Sequence, residues 1–143
     1  MKKIVLLFAV LIFLTACGGS EKTPSNVYIK GTQYSTDMTK LILYSLEVTN
    51  EDLEPLRHMT KLQKLNIAEN YISNISVLSE LKDLDMIRMN GNNISNISAL
   101  YELTNLREIW LFDNPISDER IEELRAALPD CLIVNEPVEQ GER

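Results

Sequence analysis

The sequence predicts an α/β solenoid: a short coil with a parallel sheet along its concave side, 3₁₀ turns or short helices along its convex side, and a cap at each end. Three observations point to it. Leucine, isoleucine or methionine recurs in steps of 22, as in Leu62, Leu84 and Leu106, or Leu65, Ile87 and Ile109, or Ile67, Met89 and Leu111. Asn70, Asn92 and Asn114 keep the same step, as do Ile72, Ile94 and Ile116. Laying residues 62–83 over 84–105 gives ten identities, where average residue usage would give roughly one or two. A period of that length marks stacked supersecondary units.

Each unit reads L-x-x-L-x-L-x-x-N-x-I-x-x-I-x-x-L-x-x-L. The L-x-L piece is strand alternation, which sends every second side chain inward. The apolar residues spaced by three after it fit a 3₁₀ or short helical return. The asparagine is the one inward polar position. This pattern resembles the leucine-rich repeat over about residues 39–134, in the 22-residue class of internalins and related bacterial surface proteins. The resemblance implies a right-handed leucine-rich repeat coil in which Asn70, Asn92 and Asn114 form a ladder of side-chain hydrogen bonds to neighbouring turns. Replacing Asn92 with Ala is then expected to cost about 1–3 kcal/mol. One unit cannot bury its apolar face alone, so the stack is expected to fold as a whole.

The ends depart from the period and read as caps. Thr39 to Leu62 is a degenerate first repeat two residues longer than the others, with Leu41 and Leu43 at the strand positions of Leu65 and Ile67. Thr49-x-x-Asp52 is a capping box ahead of Leu53, Leu56 and Met59, which predicts a short helix. Val27 to Tyr34 carries two β-rich pieces around Gly31 and predicts a strand or hairpin that closes the N-terminal sheet edge. Downstream, Ser117 or Asp118 caps a helix carrying Ile121, Leu124 and Leu128 and ended by Pro129. Cys131 and Ile133 fall 22 residues after Ile109 and Leu111 and predict a last strand in phase with the stack. The folded domain is thus expected over 27–136, with a charged, disordered tail at 137–143.

The start of the chain has a different character. Lys2 and Lys3 precede an unbroken apolar run from Ile4 to Leu14. That run is too short to cross about 30 Å of hydrocarbon as a helix and fits the core of a secretory signal. It closes with Leu14-Thr15-Ala16-Cys17, which resembles the lipobox of bacterial lipoproteins. The resemblance implies a signal peptide at 1–16, removal of that segment, and acylation of Cys17, a palmitate-type anchor holding the protein to the cell membrane from the extracytoplasmic side. Two acyl chains anchor firmly, since each buried methylene adds about 0.8 kcal/mol. Polar, Gly- and Ser-containing residues complete a flexible lipidated tether over 17–26.

Composition narrows the chemistry. The 143 residues suffice for one domain, and the formal charge of −7 with scattered Lys and Arg argues against nucleic acid. Two cysteines and one histidine, His58, leave neither a disulfide scaffold nor a zinc site at ligand spacing. No phosphate loop, serine elbow, Cys-His couple or pocketed acid pair is present, so neither catalysis nor a cofactor is expected. Cys131 is read as a small core residue and His58 as a surface one. The acids Asp118, Glu119, Glu122 and Glu123 are read as a helix start and a solvated face. Asn74, Asn93 and Asn96 begin Asn-x-Ser, which the repeat itself explains.

What remains is the outward side of the concave strands. The period aligns Ile42, Asn66, Arg88, Trp110 and Leu132 in one column. Tyr44, Ala68, Asn90, Phe112 and Val134 form its neighbour, and Lys40, Lys64, Met86, Glu108 and Asp130 lie on the other side. A lone exposed apolar residue is ordinary, but Trp110, Phe112, Leu132 and Val134 near Arg88 form an interaction patch. The expected function is that of a monomeric, lipid-anchored module on a bacterial surface that holds a protein partner through Tyr44, Asn66, Arg88, Trp110, Phe112 and Leu132. The alternatives are carbohydrate or peptidoglycan binding, with Trp110 and Tyr44 on sugar rings and Asn66 and Asn90 on hydroxyls, or a structural envelope role without a ligand.

Overall fold

The computed structural model of the chain describes residues 23–137; Cys17, the expected signal segment at 1–16 and all but Pro137 of the expected tail lie outside the described residues. The first element is an antiparallel hairpin of β1 (Asn26–Ile29) and β2 (Thr32–Ser35). Its tight turn places Lys30 and Gly31 at φ 51° and 77°, the left-handed backbone that two-residue hairpins require. Five further strands follow, β3 (Lys40–Ile42), β4 (Lys64–Asn66), β5 (Met86–Arg88), β6 (Glu108–Trp110) and β7 (Leu132–Val134). They form one parallel sheet in the order β3-β4-β5-β6-β7. Leu41, Leu65, Ile87, Ile109 and Ile133 align across it and are all buried.

Between strands the chain returns through 3₁₀ turns at Ser76–Glu80 and Ser98–Leu100. Asn74 and Asn96 start these turns, each accepting the N–H of the serine two residues on, at 2.9 and 3.1 Å. The Asn-x-Ser sequences at Asn74 and Asn96 are therefore Asx turns. The first and last coils differ. The first carries α1 (Asn50–Leu53) running into a 3₁₀ turn at Glu54–His58, and the last carries α2 (Asp118–Ala127). An α-helix rises about 1.5 Å per residue against about 2.0 Å for 3₁₀. Spanning the same return therefore takes more residues, and both end coils are longer than the interior ones.

That difference corrects the predicted register at the C-terminus. Ile109 pairs with Ile133, and Trp110 with Val134, so the step is 24 where the repeat predicts 22. Ile133 fills the inward position, while Cys131 lies ahead of the strand, only partly buried against the core edge. Leu132 stands beside Glu108 rather than Trp110. The N-terminal expectation is revised as well. The hairpin is a separate two-stranded sheet and does not pair with β3. Instead β1 packs against the Glu54–His58 turn, with Val27 and Ile29 buried in the core. Alternation puts both apolar residues on one side of β1, so the hairpin covers the open side of the first coil.

The three repeat asparagines tie successive coils together. Asn70 Nδ2 donates to the carbonyls of Leu43, Ile67 and Ala68 at 2.7–3.0 Å, and its Oδ1 accepts the N–H groups of Leu46 and Val48 at 3.1 and 2.9 Å. Asn92 bonds Ile67 O, Met89 O and Asn90 O and accepts from Ile72 N. Asn114 repeats the set one coil later with Met89 O, Leu111 O, Phe112 O and Ile94 N. The residue before each is in left-handed backbone, Glu69, Gly91 and Asp113 at φ 56°, 65° and 53°. A Cβ on Gly91 would also run into the Glu69 carboxylate. Gly91→Ala is expected to lower stability by about 1–2 kcal/mol through backbone strain. The Glu69 side chain is flexible, so adding Glu69→Ala should not restore the loss; urea melts of both variants check this.

Candidate functional site

Strand alternation turns Leu65, Ile87 and Ile109 inward and leaves their flanking residues on the opposite face of the sheet. Cross-strand pairing fixes two columns there, Ile42, Asn66, Arg88, Trp110 and Val134, and beside it Lys40, Lys64, Met86, Glu108 and Leu132. Trp110 is the centre of a contact network. The Arg88 guanidinium lies 5.0 Å from the centroid of its ring, within cation–π range. Phe112 meets it edge-on, with ring centroids 6.1 Å apart at 63°. Glu108 accepts the indole N–H and stands 3.9 Å from Arg88. All three partners of the indole are thus in place before anything binds, and both Trp110 and Phe112 are half-buried.

The other predicted residues are distributed around this centre. Tyr44 is 53% exposed, Ile42 the same, and Leu132 60%. Asn66 is half-buried, its Oδ1 taken by the Ala68 N–H at 3.1 Å. Ala68, placed outward by alternation, is buried instead, a methyl flanked in adjacent coils by the larger Tyr44 and Asn90. Asn90 Nδ2 donates to Glu69 at 3.2 Å. Glu108 is the residue whose role the sequence reading missed. The signal was available, since two-residue spacing puts Glu108 and Trp110 on one strand face. Between β3, β4 and β5 the sheet holds a shallow depression of about 260 Å³, lined outward by Lys40, Ile42, Lys64, Asn66, Met86 and Arg88.

Elsewhere the chemistry-bearing side chains are occupied or dispersed. Glu122 pairs with Arg125 at 3.6 Å, and Glu123 accepts the Tyr101 hydroxyl at 2.8 Å. Among the described residues, no three His, Cys, Asp or Glu side chains cluster to hold a metal. A larger open groove of about 560 Å³ lies by Ser73, Asn74, Ser76, Asn96 and Ser98, away from the sheet face. His58 is half-buried in the first 3₁₀ turn. Burial pushes the Cys131 thiol above its ordinary pKa, with the Arg107 charge opposing and Glu108 adding. Cys131 is therefore expected to react several-fold more slowly than glutathione with iodoacetamide at pH 8. Peptide mass spectrometry of timed samples checks this.

No family model matches the chain, and no curated protein matches it either. Solved structures do. An internalin, inlF, of Listeria monocytogenes superimposes with a TM-score of 0.63 at 31% identity, over 76% of this chain and 32% of that one. Internalin C2 of the same organism gives 0.56 at 35% identity, over 63% and 38%. A leucine-rich repeat protein of Leptospira interrogans gives 0.51 at 26% identity, over 56% and 21%. The chain spans about a third of the length of the internalin structures it is similar to. The five-stranded parallel sheet and the repeated asparagine bridges form a leucine-rich repeat coil, and in this the described part of the chain is similar to the internalin structures.

Proposed function

We propose that the chain is a lipid-anchored, extracytoplasmic module that holds a protein partner against the outward face of its parallel sheet. One observation carries the reading: Trp110 is held between Arg88, Glu108 and Phe112 on a sheet face that no described residue covers. Trp, Tyr and Arg concentrate binding energy at protein interfaces, and side chains already fixed lose little rotamer freedom on association. Similarity to internalins supports a protein partner in general. The anchor rests on Leu14-Thr15-Ala16-Cys17. Carbohydrate binding is less well supported, because Arg88 lies over the Trp110 ring and the Asn66 and Asn90 amides are engaged within the chain.

A photo-cross-linker placed at position 110 of the full chain in living cells tests the interface. It should give a discrete protein adduct that the same probe at Ser79, in the convex groove, does not give. Equal adducts from both positions, or none from 110, would remove the assignment. For the anchor, Cys17→Ser should abolish incorporation of labelled palmitate and move the protein from the membrane fraction to the soluble one. An unchanged distribution would exclude lipidation.

A further inference from the structure

Charge on the sheet face runs against that of the whole chain. The protein carries a formal −7, yet the outward strand positions hold Lys40, Lys64 and Arg88 against one carboxylate, Glu108. Lys40 and Lys64 are paired directly across β3 and β4. Neither has an ion-pair partner among the described residues, in contrast to Lys30, Lys61 and Lys82. Two like charges set side by side on adjacent strands oppose folding, so nothing in the fold itself favours them there. Both line the 260 Å³ depression, whose floor between them and Arg88 is Ile42, Asn66 and Met86. Arg88 is drawn towards Glu108 and Trp110, which leaves the two lysines as the free cationic pole.

We infer that this face takes an extended acidic segment of the partner protein, its carboxylates at Lys40 and Lys64 and an apolar side chain on Trp110 and Phe112. The inference rests on the partner-binding reading above and specifies its chemistry. The spacing follows from the sheet. β3 and β6 are three strand steps apart, about 14 Å at ~4.8 Å per step, which an extended chain covers in about four residues. The partner segment therefore carries Asp or Glu and, about four positions away, an aromatic or aliphatic residue. An acidic partner also explains how an anionic chain accepts it, because complementary local potential steers encounter even when net charges repel.

The full chain, purified in detergent and immobilised, should be probed with a random library of phage-displayed dodecapeptides. The expected enrichment is an acid followed or preceded at about four positions by Trp, Phe, Leu or Ile. Synthetic peptides carrying the enriched pattern should bind about tenfold more weakly to the K40Q/K64Q variant and lose affinity as salt rises. Trp110→Ala with Phe112→Ala should weaken the same peptides while leaving their salt dependence in place. Peptides enriched without acids but sensitive to Trp110→Ala would overturn this inference and leave the concave-face reading standing. Peptides that bind all variants equally would overturn both. No enrichment at all, or displacement of the peptides by phosphatidylglycerol vesicles at submicromolar lipid, would overturn the acidic-peptide assignment, the latter marking the lysines as a membrane contact.

Discussion

Asn70→Ala is expected to be the most damaging single polar substitution in the domain, lowering stability by about 2–4 kcal/mol and the melting temperature by about 10 °C or more. The Asn70 amide satisfies five backbone groups, three carbonyls and two N–H groups, drawn from two coils. Alanine leaves Leu43 O and the N–H groups of Leu46 and Val48 without partners in a site that is only 7% exposed, while Ile67 O and Ala68 O keep one partner each, Asn92 Nδ2 and the Ser45 N–H. Asn92 and Asn114 each satisfy four such groups and are half-buried, so their alanine variants should lose less. N70D sharpens the test. It keeps an acceptor for Leu46 and Val48 but sets a carboxylate against three carbonyls. Its folded-state pKa is then raised above the ordinary carboxylate value, so the destabilisation is full above that pKa and is relieved as pH falls through it. Equal melting temperatures for Asn70→Ala and Asn92→Ala would contradict the account.

The second large effect concerns binding. Replacing Trp110 and Phe112 together with Ala should weaken capture of the protein cross-linked from position 110 by on the order of 100-fold or more. The argument is one of preorganisation: the indole N–H is bonded to Glu108, one ring face is covered by Arg88, and Phe112 supports its edge. Because both rings are half-buried, the stability loss should stay within about 1–2 kcal/mol. Tyr71→Ala is the control. Tyr71 is 69% exposed and lies outside the strand columns, so its loss should leave capture intact. Surface plasmon resonance with the identified partner, beside thermal melts, separates the two effects. A double variant that binds within threefold of the parent would remove Trp110 from the interface.

The interior of the fold was legible because its determinants are local and periodic. The L-x-L alternation sets Leu65, Ile87 and Ile109 in line, and the repeated asparagine has one geometry available to it in each coil. The ends were harder to read because they break the period for a reason the period does not contain. At the N-terminal side, the two extra residues between Leu41 and Leu65 are visible in the spacing itself. At the C-terminal side the spacing after Ile109 offers no second matched position to expose the slip, so the period puts Leu132 beside Trp110 where Val134 stands. The hairpin was recognisable from its turn, yet its docking on the Glu54–His58 turn depends on long-range packing. In the candidate site, residue identity and facing were readable from alternation. The coupling of Glu108 to both Arg88 and Trp110 depends on side-chain rotamers, which spacing does not set.

The helical end coils enclose interior coils that are interchangeable in length, and this makes the distance between the cationic and aromatic poles adjustable in fixed increments. Inserting a copy of residues 62–83 beside its original would leave both caps untouched and lengthen the face by one strand step of about 4.8 Å. Partner choice could then change through gene duplication alone, with the molecule acting as a ruler whose gradations are single coils.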